Sequence, residues 1–195
     1  MSDGVLRALP IILGSAMLLF GATGGAGEKP LPTVAKVDLA RYLGTWYEVA
    51  RLPTRFEKDC VGVTATYSKR DDGTIDIVNR CRKKWVDGEI KDARGKAKVV
   101  DATTNAKLKV TFFWPFYGDY WIIELGQNYE YALIGEPDRE YLWILSRTAV
   151  LPEATLQALL ARAKEVGYDI SKIYFTPQPT GAPAQLVPGA VATNG

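Results

Sequence analysis

Hydrophobic and polar residues alternate with a period of two through most of the chain between residues 44 and 147. Leu108, Val110 and Phe112 alternate with two lysines and a threonine, while Ile75 and Ile77 flank an aspartate. This alternation is typical of β-strands with one buried face. It predicts eight strands, at residues 44–51, 62–68, 74–81, 91–100, 106–113, 120–125, 129–134 and 140–147.

The segments between these strands contain turn residues and no helical pattern. KRDDG joins the second strand to the third, DATTN the fourth to the fifth, and GQN the sixth to the seventh. Short connections of this kind favour hairpins. Eight short strands in this order predict an all-β, up-and-down antiparallel meander. Because open sheet edges promote aggregation, we expect the meander to close into an eight-stranded barrel.

One amphipathic helix follows the strands, and a last short strand follows the helix. Pro152 suits the first turn of the helix and Gly167 its end. Its apolar stripe comprises Leu156, Leu159, Leu160 and Ala163. The strand at 140–147 is apolar on both faces, so we expect it to lie between the barrel interior and this helix.

The alternation also predicts which side chains face the inside of the barrel. Lysines belong outside, so Leu108, Val110 and Phe112 should face inward. Most inward residues of the strand at 91–100 are small, namely Ala93, Gly95 and Ala97, followed by Val99. An eight-stranded barrel is either filled by side chains or holds one small ligand. Small inward residues leave room, so we favour the ligand-holding barrel.

The two ends of the predicted barrel differ, because neighbouring strands run in opposite directions and the loops fall into two sets. One set is short and polar. The other set, LPTRFEKD, RKKWVDGEI, WPFYGD and GEPDR, is rich in aromatic and basic residues. An aromatic and basic mouth above an apolar cup suits an amphiphile with an anionic head group, and transient contact with a membrane surface. The alternative is that these side chains only close the mouth.

Composition excludes several kinds of chemistry. The chain has no histidine, and its only methionines are Met1 and Met17 in the N-terminal leader. Ser-His-Asp and Cys-His sites, haem ligation by His or Met, and the usual zinc sites are therefore excluded, so we expect no cofactor and no metal. A net charge of +2 gives no sign of a nucleic-acid surface.

Catalysis is not expected either. Glu48 and Glu124 occupy inward positions, where burial can raise the pKa of a carboxyl group. Both are expected near the closed end of the barrel, where a carboxylate more often bonds to backbone groups or to Arg147 than to a substrate. We therefore expect no catalytic residue and no enzyme.

The termini predict an exported protein. Residues 1–26 contain an apolar run preceded by Arg7 and followed by small residues, which is typical of a signal peptide; an uncleaved anchor is the alternative. Residues 27–36 are a linker, 37–178 the barrel domain, and 179–195, rich in Pro, Gly and Ala, a disordered tail.

Export makes a disulfide the expected state of Cys60 and Cys81, with free buried thiols as the alternative. If Ala65 faces Ile77, the two cysteines miss each other by one residue. A bulge at Gly62, or a position of Cys60 just before the strand, would bring them together.

Several motifs resemble those of the lipocalins. Gly44, Thr45 and Trp46 open the first strand, Arg147 closes the eighth, and a helix follows. TATYSKRDDG, LKVTFFWPFYGDYW, PDREYLWILSRT and GYDISKIYF are similar to segments of the bacterial outer-membrane lipocalins and their apolipoprotein D-like relatives. The resemblance spans residues 37–178. It implies a calyx that binds fatty acids or lysophospholipids, for storage or transport during envelope maintenance under stress.

The resemblance also implies roles for single residues. Trp46, next to Gly44, would plug the closed end and pack on Arg147. The ligand-contacting aromatic residues of the bacterial branch correspond to Tyr120 and Trp143. With the inward positions and the mouth included, the candidate ligand residues are Phe56, Ala65, Tyr67, Ile77, Ala97, Val110, Phe112, Tyr120, Ile122 and Trp143.

The chain departs from the bacterial pattern in two places. The common Thr-Asp-Tyr motif is replaced by LGQNYEY, and no lipoprotein cysteine follows the leader. We therefore expect a soluble periplasmic or secreted protein, rather than one anchored in the outer membrane. A carrier of another small hydrophobic or anionic ligand, such as a pigment or a siderophore-like chelate, is the alternative function. The sequence leaves the oligomeric state open.

Overall fold

The computed structural model describes residues 29–179, so the predicted signal peptide and residues 180–195 of the predicted tail lie outside the described residues. In this range the chain forms one antiparallel sheet, a short N-terminal helix α1 (Leu39–Tyr42), a longer helix α2 (Glu153–Glu165) and a 3-10 turn at Ile170–Lys172. The strands are β1 (Gly44–Arg51), β2 (Cys60–Lys69), β3 (Ile75–Lys83), β4 (Ile90–Val99), β5 (Lys107–Phe113), β6 (Phe116–Leu125), β7 (Tyr131–Gly135), β8 (Leu142–Ser146) and β9 (Tyr174–Phe175).

The predicted fold class is confirmed. Each strand from β1 to β8 pairs with its neighbour in sequence, and β1 also pairs with β8, so the eight strands form a closed barrel. The bounds of β1 are those predicted. β6 begins four residues earlier than predicted, so the predicted loop WPFYGD is largely strand, and Trp114 and Pro115 form a tight turn. Helix α1 was not predicted.

Arg147 and Trp46 hold the closed end of the barrel. Trp46 is fully buried, and the guanidinium carbon of Arg147 lies 3.8 Å from the centre of its ring. The guanidinium also donates hydrogen bonds to the carbonyl oxygens of Arg41, Tyr42, Leu43 and Thr45, at 2.8–3.0 Å. One side chain therefore ties the end of α1 and the start of β1 to the end of β8.

Helix α2 packs on the outside of the barrel, as predicted. Leu142 and Ile144 of β8 share a buried cluster with the apolar stripe of the helix, while Trp143 and Leu145 point into the barrel interior. β8 is therefore buried on both faces, which explains its continuous apolar sequence.

A β-bulge in the β5–β6 pairing changes the inner face near the mouth. The register shifts between Val110 and Phe113. Thr111 pairs with Lys96 and so keeps the predicted outer face, although its side chain is buried, while Phe112, predicted to face inward, is 44% exposed. Phe112 nevertheless lies close to the inner wall, since a Cβ atom at Gly95 would come within 2.8 Å of its ring.

A second bulge corrects the position of Glu124. The β6–β7 register shifts between Ile122 and Glu124, so the alternation of inner and outer positions changes there. Glu124 does not face the barrel interior as expected. Its carboxylate lies 3.5 Å from the guanidinium of Arg162 on α2, on the outside of the barrel.

The predicted disulfide between Cys60 and Cys81 is present. Tyr67, rather than Ala65, is the partner of Ile77, so the assumed register was wrong by two residues. The expected bulge is present, however: the β2–β3 register shifts between Val61 and Thr64.

The C-terminal segment completes the wall of the barrel where β1 and β2 separate. β9 pairs with β1 through Phe175 and Ala50. The following residues reach β2: Gly62 donates its N–H to the carbonyl oxygen of Pro177 at 2.7 Å, and the Gln178 amide bonds to the carbonyl oxygens of Glu48 and Val63. The segment therefore bridges the two strands near the open end.

The described part of the chain contains no helix that is long and apolar enough to cross a membrane. Residues 29–179 also contain no group of three or more Asp, Glu, His or Cys side chains arranged to hold a metal ion.

We predict that Arg147→Ala lowers the free energy of unfolding by about 3 kcal/mol, because it removes several charge-assisted hydrogen bonds and exposes one face of Trp46. Urea unfolding followed by tryptophan fluorescence measures this change. Arg80→Ala is the matched control, since Arg80 forms an exposed ion pair with Asp92 on the barrel surface and its loss should change stability little. Equal effects of the two variants would contradict the role of Arg147.

Candidate ligand-binding site

The structure brings eight of the ten candidate ligand residues together inside the barrel. Six belong to the interior cluster of buried side chains, and Val110 and Trp143 pack against that cluster. Phe56 and Phe112 lie at the mouth and are largely exposed. The six buried residues are Ala65, Tyr67, Ile77, Ala97, Tyr120 and Ile122.

The inner wall has open space at Gly118. Gly118 pairs with Val110 and lies two residues before Tyr120, so it shares their inward face. A Cβ atom built at this position would meet no heavy atom within 4 Å, and Gly118 is exposed, so this space is open to solvent at the mouth. Gly118 was not among the site residues predicted from the sequence, although a glycine within a strand often marks a place where a ligand or another backbone approaches closely.

The floor of this space is a cluster of three tyrosines. The hydroxyl of Tyr120 lies 2.7 Å from that of Tyr42 and 3.0 Å from that of Tyr67. Burial raises the pKa of Tyr67 to about 12 and raises the pKa of Tyr42 and of Tyr120 well above the usual value. The three groups are therefore neutral hydroxyls at physiological pH. Tyr42 lies in α1 and was not among the predicted site residues.

A buried charged cluster lies on another side of the interior. The Arg51 guanidinium is 3.2 Å from the Glu48 carboxylate and 3.6 Å from that of Glu57. Trp143 donates its indole N–H to Glu57 at 3.1 Å, and Thr176 donates its hydroxyl to Glu48. Glu48 is thus buried, but its partners are Arg51 and Thr176, not Arg147 as expected. Arg51 and Glu57 were not identified from the sequence as parts of the site.

Glu48 is the titratable group of this cluster. Burial, reinforced by the nearby Glu57 carboxylate, raises the pKa of Glu48 to about 8, against the opposing effects of Thr176 and Arg51. At neutral pH Glu48 is therefore mainly a carboxylic acid beside an Arg51–Glu57 ion pair. The cluster joins β1, the loop at 52–59, Trp143 on β8 and the C-terminal segment.

The mouth is aromatic and basic, as predicted. The hairpin between β5 and β6 exposes Phe113 (79%), Trp114 (79%) and Phe116 (73%). Trp85, in the loop after β3, is also largely exposed and follows Lys83 and Lys84. Large exposed apolar groups of this kind mark contact surfaces.

A smaller aromatic group continues from the mouth into the interior. The rings of Tyr141 and Trp143 are stacked with their centres 5.8 Å apart, and Phe56 lies 5.6 Å from Tyr141. Because Trp143 also packs against the interior cluster, these three rings form a continuous apolar path from the mouth to the inside of the barrel.

Comparison with protein families gives one match to most of the chain. The sequence model of the family described as "Lipocalin-like domain" matches residues 37–178. The chain is 42% identical over 180 residues to the outer membrane lipoprotein Blc of Escherichia coli, covering 89% of this chain and 99% of that protein. It is 42% identical over 160 residues to temperature-induced lipocalin-1 of Arabidopsis thaliana, covering 77% and 84% of the two chains.

The similarity extends to more distant proteins. Apolipoprotein D of Bos taurus is 32% identical over 188 residues, covering 89% of this chain and 95% of that protein. Insecticyanin from the tobacco hornworm, Manduca sexta, superposes with a TM-score of 0.63 over 80% of this chain and 88% of that chain, at 22% identity. The similarity to insecticyanin concerns the fold alone.

We predict that the Glu48 carboxyl makes the wild-type protein lose stability as pH rises from about 5 to about 8. Its folded-state pKa is raised, so the folded state binds more protons than the unfolded state in this window, and the free energy of unfolding falls with pH. Glu48→Gln removes the ionisation and should flatten this slope. Urea midpoints measured at several pH values test the difference.

The comparison must separate Glu48 from Glu136, because partial burial and neighbouring carboxylates raise the pKa of Glu136 to about 7 and give a slope of the same sign. The quantity to compare is therefore the slope of the free energy of unfolding against pH in the wild type, minus the same slope in the variant. Glu89→Gln, at an exposed position, should leave the wild-type slope unchanged. A Glu48→Gln slope equal to that of Glu89→Gln would show that Glu48 is not protonated in the folded state.

Proposed function

The chain belongs to the lipocalin family, and from this premise we propose that it is a carrier that binds one amphiphile, a fatty acid or a lysophospholipid, inside its barrel. The observation that carries the proposal is the open space at Gly118 on the inner wall, above a closed floor and below an open mouth. An apolar chain placed there would be removed from water, which favours binding by roughly 25 cal/mol per Å² of buried apolar surface.

The orientation follows from the distribution of charge. The exposed cations Arg55, Lys58 and Lys84 lie at the mouth. An anionic head group can bind there while remaining partly hydrated, so no unpaired charge has to be buried. The acyl chain then points toward the tyrosine floor.

The alternative anionic chelate or pigment finds less support in the interior. The guanidinium buried there, Arg51, is already paired with Glu57 and contacts Glu48. The same pairing speaks against acid–base catalysis, because both carboxyl groups are held by protein partners. We therefore favour binding and transport over an enzymatic role.

The compartment we propose is an exported one, the periplasm or the outer-membrane surface, where the protein would serve envelope maintenance. The Cys60–Cys81 disulfide supports an oxidising environment. The Escherichia coli relative is named as an outer membrane lipoprotein, which supports the same setting.

Ligand exchange at a membrane surface is the further part of the proposal. The exposed aromatic residues of the β5–β6 hairpin can enter the interfacial region of a bilayer, while the nearby lysines attract anionic lipids. Transient docking by this end would place the mouth of the barrel against the lipid that it takes up or delivers.

We predict that purified wild-type protein retains a copurifying amphiphile and binds a fluorescent fatty acid, and that Gly118→Leu weakens this binding at least about tenfold. The leucine side chain would occupy the open space at the inner wall, and Gly118 needs no special backbone conformation that leucine would strain. Lipid extraction with mass spectrometry and a fluorescence titration measure the two effects.

Lys96→Leu is the matched control, because it places the same side chain on the outer face of the barrel, on strand β4. It should bind the probe as the wild type does. A wild-type protein that retains no lipid and binds no fatty acid would overturn the proposed function.

We predict that Trp114→Ser combined with Phe116→Ser reduces cosedimentation with phosphatidylglycerol-containing vesicles at least about tenfold, since two large side chains no longer enter the interface. Val100→Ser is the control, because Val100 is an exposed apolar residue in a loop at the opposite end of the barrel. Equal vesicle binding by the two variants would contradict docking through the mouth.

A further inference from the structure

Tyr67 and Tyr120 reach toward each other from opposite walls of the barrel. Tyr67 lies on β2 and Tyr120 on β6, and these strands are four positions apart around the eight-stranded ring in either direction. Their hydroxyls are nevertheless 3.0 Å apart, and Tyr42 joins them from below at 2.7 Å from Tyr120. The side chains therefore bridge the interior, and the bridge sets the depth of the space above it.

The bridge borders accessible space, whereas the residues around it are packed tightly. Tyr67 and Tyr120 keep 7% and 8% of their surface accessible although they lie inside the barrel, while Trp46, Ile122 and Ile134 keep none. Gly118, with its open inner face, is two residues from Tyr120 on the same strand. The hydroxyl groups thus lie at the boundary between the packed base and the open interior.

The three tyrosine hydroxyls have one more donor proton than the hydrogen bonds between them require. Each hydroxyl has one donor proton, and the cluster contains two hydrogen bonds, so one O–H remains free to donate whichever way the two bonds point. In residues 29–179 no other side-chain hydrogen bond involves these hydroxyls. A buried donor of this kind favours a partner that brings an acceptor.

We propose that the Tyr42–Tyr67–Tyr120 cluster is an inner subsite that binds a neutral oxygen atom, such as a terminal hydroxyl or carbonyl group, at the buried end of the ligand. This inference rests on the proposed function and specifies the ligand further. It makes the cavity selective for chains that carry oxygen at both ends over chains that end in a methyl group.

A neutral group fits this subsite better than a carboxylate. Arg147 lies on Trp46 at the closed end, and its donors are already used by backbone carbonyl oxygens. A carboxylate at the tyrosine cluster would therefore be buried without a paired cation, which is unfavourable. The anionic group of the ligand remains at the basic mouth.

The test compares hexadecanoic acid with 16-hydroxyhexadecanoic acid as competitors of a fluorescent fatty acid bound to the wild-type protein. The two acids differ only in the oxygen at the inner end. Without a donor at the floor, burial of the terminal hydroxyl would weaken binding of the hydroxy acid, often more than tenfold. We expect the hydroxy acid to bind at least as tightly as the parent acid.

The variant Tyr42→Phe, Tyr67→Phe, Tyr120→Phe removes all three hydroxyls and keeps the rings. Removing every partner together leaves no unpaired group, so stability should change little. We expect the hydroxy acid to lose about tenfold in affinity, and the parent acid to change less than about twofold. Tyr131→Phe, a tyrosine beside α2 outside the barrel, should change neither.

Each outcome decides between the two levels of the proposal. If neither acid displaces the probe from the wild type, the proposed function fails and the subsite falls with it. If both acids bind, but the parent acid binds much more tightly and the triple variant does not change the ratio, only the subsite is overturned. If the triple variant does not fold, the ratio of the affinities of the two acids for the wild type is sufficient to test the subsite.

Discussion

The stacking of the Arg147 guanidinium on Trp46 determines the closed end of the barrel. The guanidinium holds the carbonyl oxygens at the end of α1, and the Trp46 indole donates to the carbonyl oxygen of Tyr42, so the short helix is fixed from two sides. Tyr42 in turn supports the tyrosine bridge. The height of the cavity floor thus depends on a cation that lies below the floor, and a change at Arg147 should be transmitted to the ligand space through α1.

The open end differs from the closed end in the groups that connect its segments. Its loop at 52–59, its C-terminal segment and the inward-facing Trp143 meet at side-chain carboxyl groups, in addition to the backbone hydrogen bonds of the loop and the segment. Carboxyl groups respond to pH and to nearby charge, whereas the backbone contacts of Arg147 do not. The lipocalin barrel described here therefore combines a fixed base with an end whose internal contacts depend on protonation.

The sequence predicted most strands because one face meets water and the other the core, which imposes a period of two. The bulges in the β5–β6 and β6–β7 pairings interrupt this period, and at the second the prediction failed, because Glu124 was assigned inward but lies on the outside of the barrel. Nothing in the local sequence marks these bulges, because the partner strand determines them. Tyr42 was missed since α1 is too short for periodicity, and Glu57 since its burial requires a loop to fold back onto Trp143.

The pairing of β1 also bears on the order in which the chain can fold during its synthesis. Tyr47 pairs with Ser146, and Ala50 pairs with Phe175, so the first strand can pair early with β2 but meets its other partners, β8 and β9, only when those later segments have been synthesised. Contacts so distant in sequence form late. The nascent chain cannot close its barrel before β8 has been synthesised, and this delay is compatible with the proposed export in an unfolded state.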